Sequence, residues 1–96
     1  MEQKIQLLHP AGKKAVRMDI KKYTVIKKAL LNSLTQNKEL SHTEILEAMI
    51  RDFKKNKIKF EGSVEWYMES VKLDLEATKI IERVYDKSRL KFRLIK

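Results

Sequence analysis

Ninety-six residues, 43% hydrophobic and 36% charged, describe one folded domain rather than a disordered tail, with residues 1–18 an arm or hairpin and residues 19–96 its core. The chain has no cysteine, which excludes disulfides and thiolate metal centres. It has no run of about 18 apolar residues to cross a membrane and no apolar signal core at its start, so the expectation is a cytoplasmic protein with no membrane partner. The formal net charge of +9 is uneven: residues 1–60 carry +8, residues 61–82 carry −4 and residues 83–96 carry +5.

Residues Lys4–Leu8 are mostly apolar and lead into His9-Pro10-Ala11-Gly12, where proline and glycine turn the chain. Lys13–Met18 alternates loosely, so the arm is either a hairpin or an extended segment lying across the domain. Asp19 has the short carboxylate of an N-cap. Behind it, Tyr23, Ile26, Leu30 and Leu34 recur at three- and four-residue spacing, widened by Ala29 and Leu31, which predicts a helix over residues 20–36. Lys21, Lys22, Lys27 and Lys28 fall mainly outside that stripe. Asn37 suits the left-handed residue that ends a helix.

Ser41-His42-Thr43-Glu44 is a capping box, which starts a second helix at His42. Ile45, Leu46, Met49, Ile50 and Phe53 give it an apolar face up to the Lys54-Lys55-Asn56-Lys57 cluster. Leu40 suits a brief strand just before the cap, and Ile58 and Phe60 anchor the connection that follows. Gly62 or Ser63 caps a third helix from Val64 to about Thr78. Val64, Tyr67, Met68, Val71, Leu75 and Thr78 form its inner stripe, with Trp66, Leu73 and Ala77 on a flank. Glu65, Glu69, Lys72, Glu76 and Lys79 form the expected outer face. Strand formers from Ile80 to Tyr85, a polar turn at Asp86-Lys87-Ser88 and alternation from Arg89 to Lys96 predict a hairpin, with Leu90, Phe92 and Leu94 facing inward.

The order helix, short extended residue, helix, helix, hairpin, with the junction from Val71 through Lys79-Ile80-Ile81-Glu82-Arg83, resembles the winged-helix class over Asp19–Lys96. The fold expected is therefore α+β, a three-helix core with a C-terminal β-hairpin wing. Leu8-His9-Pro10-Ala11-Gly12-Lys13-Lys14 and Glu61-Gly62-Ser63-Val64-Glu65-Trp66-Tyr67 are also similar to a group of small bacterial proteins of uncharacterised function, a resemblance that implies no activity. In the winged-helix class the third helix usually enters a DNA major groove. Two departures weigh against base reading here. The connection over residues 56–63 is longer than that of a compact helix-turn-helix, and the third helix lacks the Arg, Asn or Gln side chains that read base edges.

Catalytic chemistry has few carriers: His9 and His42 are the two imidazoles, and no phosphate-loop, dinucleotide or metal-ligand motif is present. The expectation is a non-enzymatic binding module with no cofactor, no metal and no catalytic residues. Basic side chains cluster at Lys13, Lys14 and Arg17, at Lys54, Lys55, Lys57 and Lys59, and at Lys87, Arg89, Lys91 and Arg93. These would contact the phosphate backbone of DNA or RNA, with a merely solvated surface as the bland reading. The alternative is a protein-interaction module presenting Glu65, Trp66, Glu69, Lys72 and Glu76 to a basic partner. Trp66 and Tyr67 could form a stacking platform or belong to the core. Trp66, on the flank of the helix, is the better placed for exposure.

Overall fold

A computed structural model describes residues 3–95. Asp19 accepts the Lys21 amide at 3.0 Å and caps α1, Ile20–Gln36. Ser41 and Glu44 close the capping box of α2, His42–Lys55: the Glu44 amide donates to Ser41 Oγ, and the Ser41 amide donates to Glu44 Oε1. Ser63 caps α3, Val64–Ala77, by accepting the Trp66 amide. Each cap satisfies donors that the first turn cannot pair internally, which stabilises the helix by about 1 kcal/mol.

The chain begins with two short antiparallel strands, β1 (Lys4–Gln6) and β2 (Arg17–Asp19), in the register Lys4↔Asp19, Ile5↔Met18 and Gln6↔Arg17. The arm is thus the hairpin of the two forms expected. Its turn is closed by the Gly12 amide donating to the His9 carbonyl, with Gly12 at φ 74°. The chain ends with β3 (Ile81–Asp86) and β4 (Arg89–Leu94), joined through Lys87 and Ser88, both at positive φ as a two-residue hairpin turn requires. Leu40 pairs with Phe92 on the free edge of β4, the brief strand expected before α2.

Three helices and a C-terminal antiparallel hairpin make this an α+β domain with a winged-helix-like layout. Its core draws Ile26 and Leu30 from α1, Ile45 and Met49 from α2, Met68, Val71 and Leu75 from α3, and Ile81 and Phe92 from the wing, with Leu7 and Met18 from the arm. Burial of each such side chain contributes roughly 1.5–3 kcal/mol. Among the described residues no helix is long and apolar enough to cross a membrane.

Both α2 and α3 end in Schellman geometry. The Ile58 amide donates to the Phe53 carbonyl and the Lys57 amide to Lys54; after α3, Ile80 donates to Leu75 and Lys79 to Glu76. The left-handed residue, usually glycine, is lysine in both: Lys57 at φ 55° and Lys79 at φ 61°. Asn37, expected in that conformation after α1, is instead extended at φ −131°, with its side-chain amide donating to the Ser33 carbonyl. Ile50, expected on the apolar face of α2, Ile58, expected to anchor the connection, and Thr78, expected on the inner stripe of α3, are exposed. The inner line of α2 is Ile45, Met49 and Phe53, so Ile50 slides off its edge, and Ile58 spends its backbone on the helix end while its side chain stays 38% exposed.

Asp74 joins three segments from the interior of α3. It is 5% exposed, accepts the Leu8 amide at 2.9 Å and accepts the Tyr23 hydroxyl at 2.7 Å. Asp74→Ala strands both donors, so urea denaturation should show a loss of roughly 2–4 kcal/mol, with Asp74→Asn losing less because one acceptor survives. Burial, the Asp74 bond and the Asp74 charge push the Tyr23 phenol well above its usual value of 10.0. The folded state therefore favours the neutral phenol. Its contribution to stability is complete below a pH of about 10 and is lost as pH rises toward the folded value. Alkaline titration of tyrosinate absorbance should show a late component that disappears in Tyr23→Phe.

Candidate nucleic-acid interface

Two charged residues of α3 are buried on opposite flanks of its inner stripe. Asp74 faces α1 and the arm. Lys72, 4% exposed, faces α2 and the wing: its ammonium donates to His42 Nδ1 at 2.9 Å and to Glu69 Oε2 at 3.3 Å, and lies 4.3 Å from the centre of the Phe92 ring. Lys72 is therefore not on an outer face, contrary to its spacing with Glu65 and Glu69. Glu76, also assigned outward, has a side chain only 6% exposed beneath the guanidinium of Arg83. Spacing alone could not anticipate either burial, because each depends on a cation or imidazole delivered by another element. Glu65 and Glu69 stay exposed at the rim, both turned to His42, at 3.1 Å and 3.3 Å.

With Met68, Val71 and Leu75 innermost, the 3.6-residue period leaves Trp66, Ser70, Leu73 and Ala77 as the outward stripe of α3. Trp66 is 49% exposed and the other three are half-buried. The outward stripe is thus uncharged, where sequence spacing had implied carboxylates. Ser70 carries its one hydroxyl, which already donates to the Trp66 carbonyl, and the Trp66 indole N–H is its other polar group.

Most carboxylates are committed within the fold. Arg83 holds Glu76, Arg93 holds Glu82 and lies 3.7 Å from Glu39, and Lys91 lies 3.9 Å from Asp86. The bond to Glu76 holds the Arg83 guanidinium above its ordinary value. Bonds from the backbone and side chain of Ser41 hold the Glu44 carboxyl below its own. Asp19 and Ser41-Glu44 are spent on caps, and Asp52 accepts from the side chain of Asn56.

Cations show the reverse. Of the residues assigned to nucleic acid, Lys91 and Arg93 are engaged in ion pairs; Lys13, Lys14, Arg17, Lys54, Lys55, Lys57, Lys59, Lys87 and Arg89 form none among the described residues. The groups stand apart. The arm's turn, His9–Ala11, shares a shallow cleft with Leu73, Glu76 and Lys79 near the end of α3. The segment after α2 instead meets the start of α3, where Phe60 stacks on Phe53 and lies edge-on to Tyr67 at 5.1 Å. Lys87 and Arg89 sit at the tip of the wing.

Lys22 belongs to the same corner, although its sequence position gave no such role. Its ammonium lies 5.1 Å from the Tyr67 ring centre and 5.7 Å from that of Phe60, and donates to the Tyr67 hydroxyl at 3.4 Å. The available signal was electrostatic: Lys21 and Lys22 occupy the first turn of a helix whose dipole disfavours cations there, and α1 contains no acidic residue. Gly62 permits the approach of Tyr67, since at φ 104° a Cβ would stand 3.0 Å from its Cε2.

For other chemistry the geometry offers less. His9 Nδ1 accepts the Ala11 amide and so helps form the arm's turn. Among the described residues no group of three or more His, Cys, Asp or Glu side chains is placed to hold a metal ion. An open cleft of about 740 Å³ lies between the end of α1 and β4, but of its charged lining Glu39, Glu82 and Arg93 pair with one another and leave only Lys38.

The fold and its surface thus define a small basic α+β domain with a winged-helix-like layout and an uncharged outward helix face. The profile of a family of unknown function (DUF6958) matches residues 4–92, and the chain belongs to that family. No curated protein and no solved structure matches it.

Exposure of Trp66 sets a stability test. Trp66→Ala should cost about 1 kcal/mol or less, mostly from its edge contact with Tyr67, whereas Met68→Ala, at full burial two positions on, should cost about 2–5 kcal/mol. Thermal or urea unfolding of the two variants compares them directly.

Proposed function

We propose that this domain is a non-enzymatic winged-helix binding module that contacts the phosphate backbone of DNA or RNA through its arm, the basic segment after α2 and the tip of its wing. The observation that carries the reading is the segregation of charge. Most carboxylates of the described residues are used internally, by caps, by Asp74's two donors, by Asn56 or by ion pairs, with Glu47 and Glu61 the exceptions, while the lysines of the exposed segments are left for external anions. Attraction to a polyanion then rests on released counterions and carries little base preference.

A second observation supports it. Lys57, Lys79 and Lys87 occupy positive-φ positions, where a side chain other than glycine's costs roughly 1–2 kcal/mol. The helix dipole offsets part of that cost for Lys57 and Lys79, which follow helix C-termini, but not for Lys87 in a hairpin turn. Cations held at strained, exposed turns suit a role in binding. The alternative, a basic protein docking on α3, keeps Glu65, Trp66 and Glu69 but loses Lys72 and Glu76, which are buried. Its acidic anchors are also already shared with His42.

Anisotropy titrations with labelled duplex and single-stranded oligonucleotides test this. Binding should weaken steeply with salt, by about 100-fold between 50 and 200 mM if roughly four phosphates are contacted. Joint replacement of Lys57 and Lys59 by glutamate should weaken binding to every sequence alike. Absence of binding to either oligonucleotide at low salt would remove the nucleic-acid reading.

A further inference from the structure

We infer that the corner formed by Trp66, Tyr67, Phe60 and Lys22 is a stacking site for an unpaired base, which makes single-stranded nucleic acid, rather than duplex, the substrate class of this module. The inference rests on the backbone-binding reading above and narrows it.

The outward stripe of α3 is poorly equipped to read a duplex. A helix that reads a major groove needs side chains able to donate to or accept from base edges. Here the stripe is Trp66, Ser70, Leu73 and Ala77, and the one hydroxyl is bonded to its own helix. What the stripe does offer is a half-exposed indole at its leading end. A duplex hides the faces of its bases, so such a ring gains little from it, whereas a single strand presents bases that stack on aromatic rings without regard to sequence.

The surroundings supply what a stacking ring requires. Tyr67 meets Trp66 edge-on at 4.9 Å and 82°, and Phe60 in turn meets Tyr67 at 78°, which braces the indole from one side. Lys22 lies over that aromatic pair, with Lys21 beside it in the same helical turn. Lys57 and Lys59 are exposed in the segment that ends at Phe60. Phosphates on either side of a stacked base would meet these cations. Glu65 and Glu69 lie on the other flank of the helix, Glu65 at 3.1 Å from His42 and Glu69 at 3.3 Å from the Lys72 ammonium, which leaves Glu61 as the one carboxylate beside Phe60 among the described residues. The strand is thereby directed to the Lys22 side.

Trp66 is the chain's one tryptophan, so its fluorescence reports the site without a label. The full chain should be titrated at low salt with oligothymidylate, oligouridylate and a duplex of matched length, following both tryptophan emission and oligonucleotide anisotropy. Stacking predicts that the single strands quench Trp66 and bind more tightly than the duplex. Trp66→Ala should then weaken single-strand binding by about 5- to 150-fold while duplex affinity stays constant, and Trp66→Phe should recover most of the loss. Circular dichroism of each variant separates loss of stacking from loss of fold. Equal single-strand and duplex affinity with no quenching would overturn the stacking site yet leave backbone binding intact. No binding of any oligonucleotide would overturn both. Quenching by a lysine-rich peptide but not by oligothymidylate would also overturn it and assign the face to a protein.

Discussion

Two buried charges set the roll of α3, and most of what is distinctive in this domain follows from that constraint. Lys72 and Asp74 are two residues apart, so they leave the helix in divergent directions. One reaches His42, Glu69 and the Phe92 ring, the other Tyr23 and the Leu8 amide. A buried charge without its partners costs several kcal/mol, so rotating α3 by even a quarter turn would strand one or the other. The helix is therefore held against α2 and the wing on one flank and against α1 and the arm on the other. What remains for solvent is Trp66 with Glu65 and Glu69 beside it.

The same constraint shapes the electrostatics. Because Arg83 and Arg93 take up the carboxylates of Glu76 and Glu82, part of the negative charge concentrated in residues 61–82 is neutralised in place, while Glu65 stays exposed beside His42. The helix presents an exposed indole on its outward line, with Glu65 and Glu69 exposed along one flank and Ser70, Leu73 and Ala77 half-buried. The cations that stay unpaired lie on the segments around it, at both ends of α3 and at the wing tip. This arrangement explains how a module can carry strong net charge and still have no reading face of the usual kind.

Much of the architecture was legible in one dimension because it depends on local chemistry. Asp19, the Ser41-Glu44 box and Ser63 marked all three helix starts, since a cap bonds to amides two or three residues away. Alternation in Arg89–Leu94 marked the inward side of the wing, and Leu40 was correctly placed as a short strand. Helix ends were harder. Schellman closure put lysine where glycine is usual, and the cue lay in the apolar residues that follow, Ile58 and Ile80, whose amides reach back to Phe53 and Leu75. Asn37 carried the expected residue type without the geometry.

The candidate site was only half legible. Exposure of Trp66 could be inferred from its flank position, but Lys22's place over the neighbouring Tyr67 ring, and the burial of Lys72, Asp74 and Glu76, arise from residues 7 to 66 positions away in the chain. Helix periodicity reports which residues share a face, and it says nothing about whether another element will arrive to cover a charged one. Length, capping residues and alternation thus determined the three helices, the wing and the excess of positive charge. The roll of α3, and with it the choice between an acidic face and an aromatic one, was decided by the pairing of buried charges across elements, since only the folded chain brings those partners within hydrogen-bond reach.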